Sequence, residues 1–174
     1  LERLRRGEVL ISDGATGTYL QGHGLEPGGC PEFMNVTHPE VVSGMARDYF
    51  VAGSDFVLTN SFGANRFMLE KYGHGGRVRE FNRVAAELAT EQADETQYVV
   101  GSVGPTGEFL QPLGEVDPSE MYEAFCEQIT SLEAGGCHGV IMETMTALEE
   151  IILAVRAARE NTGLTVMASM VYDK

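Results

Sequence analysis

The feature that most constrains this chain is a strand-then-helix unit that repeats along it. Ala52-Gly53-Ser54-Asp55-Phe56-Val57-Leu58-Thr59 is echoed by Ala134-Gly135-Gly136-Cys137-His138-Gly139-Val140-Ile141-Met142-Glu143-Thr144. Each is a helix end, a glycine turn, a short apolar run and a polar terminus. Runs of this kind read as strands buried on both faces. Five are present: Val9 to Ile11, Phe56 to Thr59, Tyr98 to Gly101, Val140 to Met142 and Thr165 to Ala168. Between them, apolar residues recur at helical spacing: Val41, Val42, Met45, Ala46, Tyr49 and Phe50, then Val78, Phe81, Ala85, Leu88 and Ala89 within a helix expected from about Arg77 to Ala93. Met121, Phe125, Ile129 and Leu132 form a third stripe, and Leu148, Ile151, Ile152, Val155 and Ala158 a fourth. Thr37 with Glu40, Asp117 with Glu120 and Thr146 with Glu149 have capping-box spacing. Pro39 and Pro118 sit in first turns, where a missing N–H costs nothing.

Repeated strand–helix units pair their strands in parallel through right-handed crossovers. Two architectures satisfy that rule, an open doubly wound sheet and a closed (β/α)8 TIM barrel. A dinucleotide-binding sheet carries G-x-G-x-x-G after its first strand, whereas this turn reads Asp13-Gly14-Ala15-Thr16-Gly17-Thr18. No phosphate loop of the form G-x-x-x-x-G-K-[ST] occurs either. The α/β barrel is therefore the expected fold. A complete barrel takes typically about 250 residues, so 174 residues with five strands read as its first part.

Charge and composition narrow the function classes. Lys and Arg number 12 against 26 Asp and Glu, a net charge of −14, which repels phosphate backbones and anionic membrane surfaces. No apolar run approaches the roughly 20 residues that span a bilayer, and no apolar signal core follows the charged stretch Leu1 to Arg6. Cys30, Cys126 and Cys137 make no disulfide framework. A reduced, cytoplasmic chain without nucleic-acid or membrane partners is expected.

Polar and glycine residues gather where the strands end: 13–18, 59–65, 101–107 and 143–146. Parallel barrel strands bring such ends to one face, where active sites lie. Asp13 beside Gly14 and Gly17 offers a carboxylate next to open backbone N–H groups, suited to the two ends of an amino acid, or else a capped tight turn. Glu143 ends a wholly apolar strand, where a carboxylate is costly unless a cation meets it. The alternative is a helix-start acid. Asn60 is placed to line a pocket, whereas Asn65 reads as a turn residue tolerant of left-handed geometry. Phe62 serves equally as a pocket wall or as core, and Gly101 to Gly107 as a close backbone approach or a turn. His23, His38, His74 and His138 show no paired metal spacing, and no metal ligands are expected within the chain. Cys126 reads as core and Cys137 lies at the wrong ends of the strands. Cys30, in the loop Gly22 to Pro31, is the one thiol with a route to the active face.

The four segments Asp13-Gly14-Ala15-Thr16-Gly17-Thr18, Thr59-Asn60-Ser61-Phe62-Gly63-Ala64-Asn65, Gly101-Ser102-Val103-Gly104-Pro105-Thr106-Gly107 and Glu143-Thr144, in that order, resemble homocysteine S-methyltransferases. The nearer likeness is to the homocysteine-binding domain of cobalamin-dependent methionine synthase and related corrinoid methyltransferases, the more distant one to betaine–homocysteine methyltransferase. It runs from about Val9 to the end of the chain. The resemblance implies a (β/α)8 barrel of which residues 1–174 are the N-terminal part. It implies methyl transfer to the sulfur of homocysteine or a similar thiol, in methionine formation. The methyl donor would be methylcobalamin, supplied by a corrinoid protein or domain, or another compound. It also implies substrate contacts at Asp13, the Gly14 and Ala15 backbone, and Glu143; Asn60, Ser61, Phe62 and Thr144, at the same strand ends, are expected to bind substrate beside them.

In the family a zinc ion held by three cysteines near the later strands lowers the pKa of the bound thiol. Cys30, Cys126 and Cys137 do not stand at those positions. The competing readings are an incomplete or non-catalytic half-barrel that binds an amino acid, and an unrelated barrel enzyme acting on phosphorylated substrates. Five strands cut from a barrel also leave open sheet edges, so a homodimer, or dependence on a further barrel segment, is expected of the chain alone.

Overall fold

The computed structural model describes residues 2–172. Along the chain run α1 (Glu2–Arg5), α2 (Thr16–Gly22), α3 (Met34–Thr37), α4 (Pro39–Val51), β1 (Phe56–Leu58), α5 (Arg66–Glu70), α6 (Val78–Thr90), β2 (Tyr98–Val103), α7 (Pro118–Ala134), β3 (Gly139–Met145), α8 (Leu148–Asn161) and β4 (Thr165–Met170). Short 3-10 turns lie at Pro31–Phe33 and Gly75–Arg77.

The strands form one parallel sheet in the order β1-β2-β3-β4, with Val57 opposite Val99, Gly101 opposite Val140 and Val140 opposite Val166. Every strand lies beside its predecessor. A doubly wound sheet would reverse direction at a switch point, so this order is that of a barrel wall. Alternation along the strands sends Val57, Val99, Val103, Val140 and Met142 toward the helices. There they meet Phe125, Ile129 and Leu132 of α7 and Ile151, Ala154, Ala157 and Ala158 of α8. Each large side chain so buried contributes about 1.5–3 kcal/mol. The other face belongs to the barrel interior. On it Leu10, Phe56, Tyr98, Val100, Gly139, Thr165 and Met167, with Leu4 over them, line a cavity of about 280 Å³. Two smaller clusters hold the segment before β1 and the loop after it: Leu20, Met34, Val42 and Met45, and Cys30, Ala64, Leu69, Val78 and Phe81.

Several local expectations change. The first expected strand, Val9 to Ile11, is reduced to one bridge between Ser12 and Phe56. Val9 is 86% exposed and Ile11 59% exposed, so neither is buried on two faces. Asp117 caps α7 as expected, accepting from the Ser119 amide at 2.8 Å. Thr37 does not cap α4. Its hydroxyl donates back to the Phe33 carbonyl at 3.0 Å, because it closes α3 instead. Thr146 does not cap α8, because β3 continues to Met145 and the cap position falls to Ala147. Asn65 is extended (φ −85°, ψ 161°) and caps α5 through the Met68 amide at 3.0 Å, so it is not a left-handed turn residue. Helices α2, α3 and α5 fill what read as loop. Among the described residues, no helix is long and apolar enough to cross a membrane.

Candidate functional site

The site is built where β1, β2, β3 and the Ser12 bridge end. Asp13 follows that bridge, and its amide donates to the Phe56 carbonyl at 3.1 Å. Its carboxylate accepts from the Leu58 amide at 2.8 Å and from the Ser12 hydroxyl at 3.0 Å. Burial pushes the Asp13 carboxyl above the ordinary aspartate value, against those hydrogen bonds, and the charge of Glu143 adds to the rise. Both carboxylates stand at the same ends of the strands. The exposed turn through Gly14 and Ala15 lies over Tyr49. The Tyr49 hydroxyl donates to the Ala15 carbonyl at 3.1 Å, and its ring stands 3.0 Å from where a Gly14 Cβ would be.

Glu143 is half-buried on β3, and its Oε1 accepts from the Ser102 hydroxyl of β2 at 2.6 Å. The β3–β4 ladder is interrupted between Met142 and Met145, and exposed Thr144 has φ 61°. A β-branched residue in the left-handed region is strained. Here it turns the chain out of the ladder directly after Glu143, as bulges beside functional sites do.

The loop after β1 is held from beneath by buried polar side chains. Asn35 donates to the Asn60 carbonyl at 2.9 Å, Gln128 to the Ser61 carbonyl at 2.8 Å and Asn82 to the Ala64 carbonyl at 2.8 Å. Glu32 accepts from the Gly63 amide at 2.7 Å. The Asn60 side chain is 3% exposed and turns into this support, donating to the Pro31 carbonyl and to Asn35. Ser61 is buried as well, donating to the Ser102 carbonyl at 2.7 Å. Phe62, 39% exposed, rests on the next loop, and its ring sits 2.7 Å from where a Gly104 Cβ would be. The structure thus sets Asp13 and Glu143 at the same end of the sheet, leaves Phe62 and Thr144 exposed beside the strand ends, and draws the Asn60 and Ser61 side chains into the scaffold.

Glu150 holds the loop after β2. It is 5% exposed, and its Oε1 accepts from both the amide and the hydroxyl of Thr106 at 2.7 Å. Sequence reasoning missed Glu150, Gln128 and Asn82, although each left a signal. Glu150 shares the buried stripe of α8 with Ala154 and Ala157, Gln128 that of α7 with Phe125 and Leu132, and Asn82 that of α6 with Val78 and Ala86. A polar residue on a buried helical stripe must have a partner. Glu32 and Asn35 lie in an aperiodic stretch that carries no such signal.

The thiols do not suit a metal. Cys30 does not reach the active face. It is buried with Ala64, Leu69, Val78 and Phe81, its Sγ donates to Glu32 at 3.3 Å, and burial next to that carboxylate pushes its pKa up to about 12. Burial pushes Cys137 up to about 12 too. Among the described residues, no three side chains of His, Cys, Asp or Glu come together as a ligand set. The described residues on their own do not fit a zinc ion.

Residues 10–174 match the homocysteine S-methyltransferase family. The chain is 35% identical over 165 residues to a methionine synthase of Mycobacterium tuberculosis, covering 87% of this chain and 14% of that protein. It is 33% identical over 180 residues to betaine–homocysteine S-methyltransferase 1 of Mus musculus, covering 98% of this chain and 42% of that protein. The homocysteine methyltransferase MmuM from Escherichia coli superposes with a TM-score of 0.80 in its metallated form, at 19% identity over 95% of this chain and 64% of that one. Its apo form gives 0.75 at 20% identity, over 97% and 61%. At such identities the likeness speaks for the fold, a (β/α)8 barrel of which this chain makes up a part. The chain spans less than half the length of these sequence relatives and less than two thirds of these solved chains.

Proposed function

The chain belongs to the homocysteine S-methyltransferase family, and we propose that it forms the part of a methyltransferase domain that grips the amino-acid end of homocysteine, or of a similar thiol, for methyl transfer to its sulfur. One observation carries this reading. Asp13 and Glu143 are two carboxylates at one end of the sheet, each anchored on one oxygen by a hydrogen bond, from the Leu58 amide and the Ser102 hydroxyl. Such a pair is relieved by a cation placed between them, and the ammonium of an amino acid is one that both can accept from. In this reading the backbone of Gly14 and Ala15 meets the substrate carboxylate. Phe62 and Thr144 flank the thiol-bearing chain, and Asn60 and Ser61 act through the loop they brace.

The described residues bind and orient; they do not supply the metal that activates the thiol in the complete family domain. Of the relatives named above only one carries a donor, betaine, in its name, so family membership leaves the donor open. A corrinoid protein or domain carrying methylcobalamin is the donor suggested by the likeness to methionine synthase. A reducing, cytoplasmic setting agrees with thiol chemistry and with the three unpaired cysteines.

Calorimetric titration with L-homocysteine tests the reading. Asp13→Asn and Glu143→Gln should each weaken binding at least about tenfold, the scale of one hydrogen bond to a charged group. Unchanged affinity in both variants would remove the ammonium site.

A further inference from the structure

Ser102 is not among the substrate contacts proposed above, yet it is held on three sides near the strand ends. It is 3% exposed on the inner face of β2. Its amide donates to Thr59 Oγ1 at 3.1 Å, and its carbonyl accepts from Ser61 Oγ at 2.7 Å. Those two hydroxyls are themselves 2.6 Å apart. The backbone of Ser102 is thus clamped by the end of β1 and the loop that follows it. In the ladder Ser102 stands opposite Ile141, so its hydroxyl reaches diagonally to Glu143, two residues further along the same face of β3.

That bond does specific work on Glu143. A glutamate at the end of a strand has three side-chain torsions to order before it can receive a ligand, and ordering them at the moment of binding weakens affinity. A rigid donor on Oε1 selects one arrangement and leaves Oε2 free. The Ser102 oxygen keeps a lone pair beside it for a second N–H. The left-handed backbone at Thr144 turns the chain away immediately after Glu143. Ser102 is what fixes the side chain in return.

We propose that Ser102 is the positioning residue of the amino-group site: by holding Glu143 Oε1 it presets the carboxylate to receive an ammonium together with Asp13, and so makes the free α-amino group a requirement of the thiol ligand. This rests on the amino-acid reading given above. The test separates the two claims by titrating the protein with L-homocysteine and with 4-mercaptobutanoate, which lacks only the amino group. Preference of the wild-type protein for homocysteine supports the ammonium site. Equal binding, or binding of neither, removes that site and the role of Ser102 with it.

Given the preference, Ser102→Ala should weaken homocysteine about 10- to 30-fold, the scale of a lost hydrogen bond to a charged group, and leave 4-mercaptobutanoate unchanged. Ser102→Thr should recover most of the loss. Ser102→Cys, close in volume but a weaker donor, should fall between. The main-chain bonds of Ser102 survive all three changes, and thermal melting checks that each variant folds. Unchanged homocysteine affinity in Ser102→Ala, or an equal loss for both ligands, would overturn the proposal. The second result would mark a residue that only supports the fold.

Discussion

Glu150→Ala should be among the more damaging single changes away from the carboxylate pair. Glu150 is 5% exposed, and both of its hydrogen bonds go to Thr106, which is fully buried. Truncation leaves the Thr106 amide and hydroxyl without an acceptor, at about 1–3 kcal/mol for each orphaned donor. It also removes an acidic group from the first turn of α8, worth about 0.3–1 kcal/mol. Relief of a buried carboxylate opposes these costs. That relief is partial, because two donors and a helix N-terminus already stabilise the charge. The net expectation is a loss of about 2–4 kcal/mol. Glu150→Gln keeps a carbonyl oxygen in place and should lose only about 0.5–1.5 kcal/mol. For a domain of about 150–250 residues each kcal/mol shifts Tm by roughly 2–4 °C, so the two variants separate clearly. Urea unfolding at constant m-value measures the difference, and amide exchange at Thr106 locates it: protected in the wild type and in Glu150→Gln, fast in Glu150→Ala. If the alanine variant is no less stable than the glutamine variant, or if Thr106 stays protected in it, the buried-acceptor account of this loop is wrong.

Asp13→Asn should stabilise the fold at neutral pH while weakening homocysteine. Burial and Glu143 raise the Asp13 carboxyl, so the folded chain holds that proton more tightly than the unfolded chain does. That stabilisation is full below the ordinary aspartate value of about 3.9 and is lost as pH rises through the raised one. Melting curves against pH should therefore fall less steeply across that window in Asp13→Asn, and an unchanged slope would contradict the sign. Gly101→Ala places a methyl 2.8 Å from Leu132 Cδ1 and 3.1 Å from Val140 Cγ1, both in the core. Overpacking of that kind should cost about 1–3 kcal/mol in chemical denaturation, and a neutral result would mean that the β2–α7 contact is looser than it looks. The outer edge of β4 pairs with no strand among the described residues. Residues 1–174 expressed alone should therefore self-associate at low micromolar concentration in sedimentation; a compact monomer with cooperative melting would show that the edge protects itself.

The alternation of elements was legible because period and punctuation are local. Phe125, Ile129 and Leu132 mark one face of α7 whatever lies around them, and Asp117 caps it through an amide two residues away. The same locality placed the polar residues at strand ends, where parallel strands must bring them to one face. It failed where the deciding contact is distant in sequence. Val9 to Ile11 carries the composition of a buried strand, but burial depends on what covers both of its faces, and Ile11 is exposed. Thr37 and Thr146 had the right neighbours for capping and lost the position to α3 and to the extension of β3.

The candidate site divides along the same line. The types and order of its residues, Asp13, Phe62, Glu143 and Thr144, stand in the sequence. Which side chains face the strand ends and which are drawn beneath them was decided by partners 25 to 67 residues away: Asn35 on Asn60, Ser102 on Glu143, Glu150 on Thr106 and Gln128 on Ser61. A strand end offers a polar group to either side, and only the packed helices beneath it, with buried amides and carboxylates that must find partners, determine which side takes it.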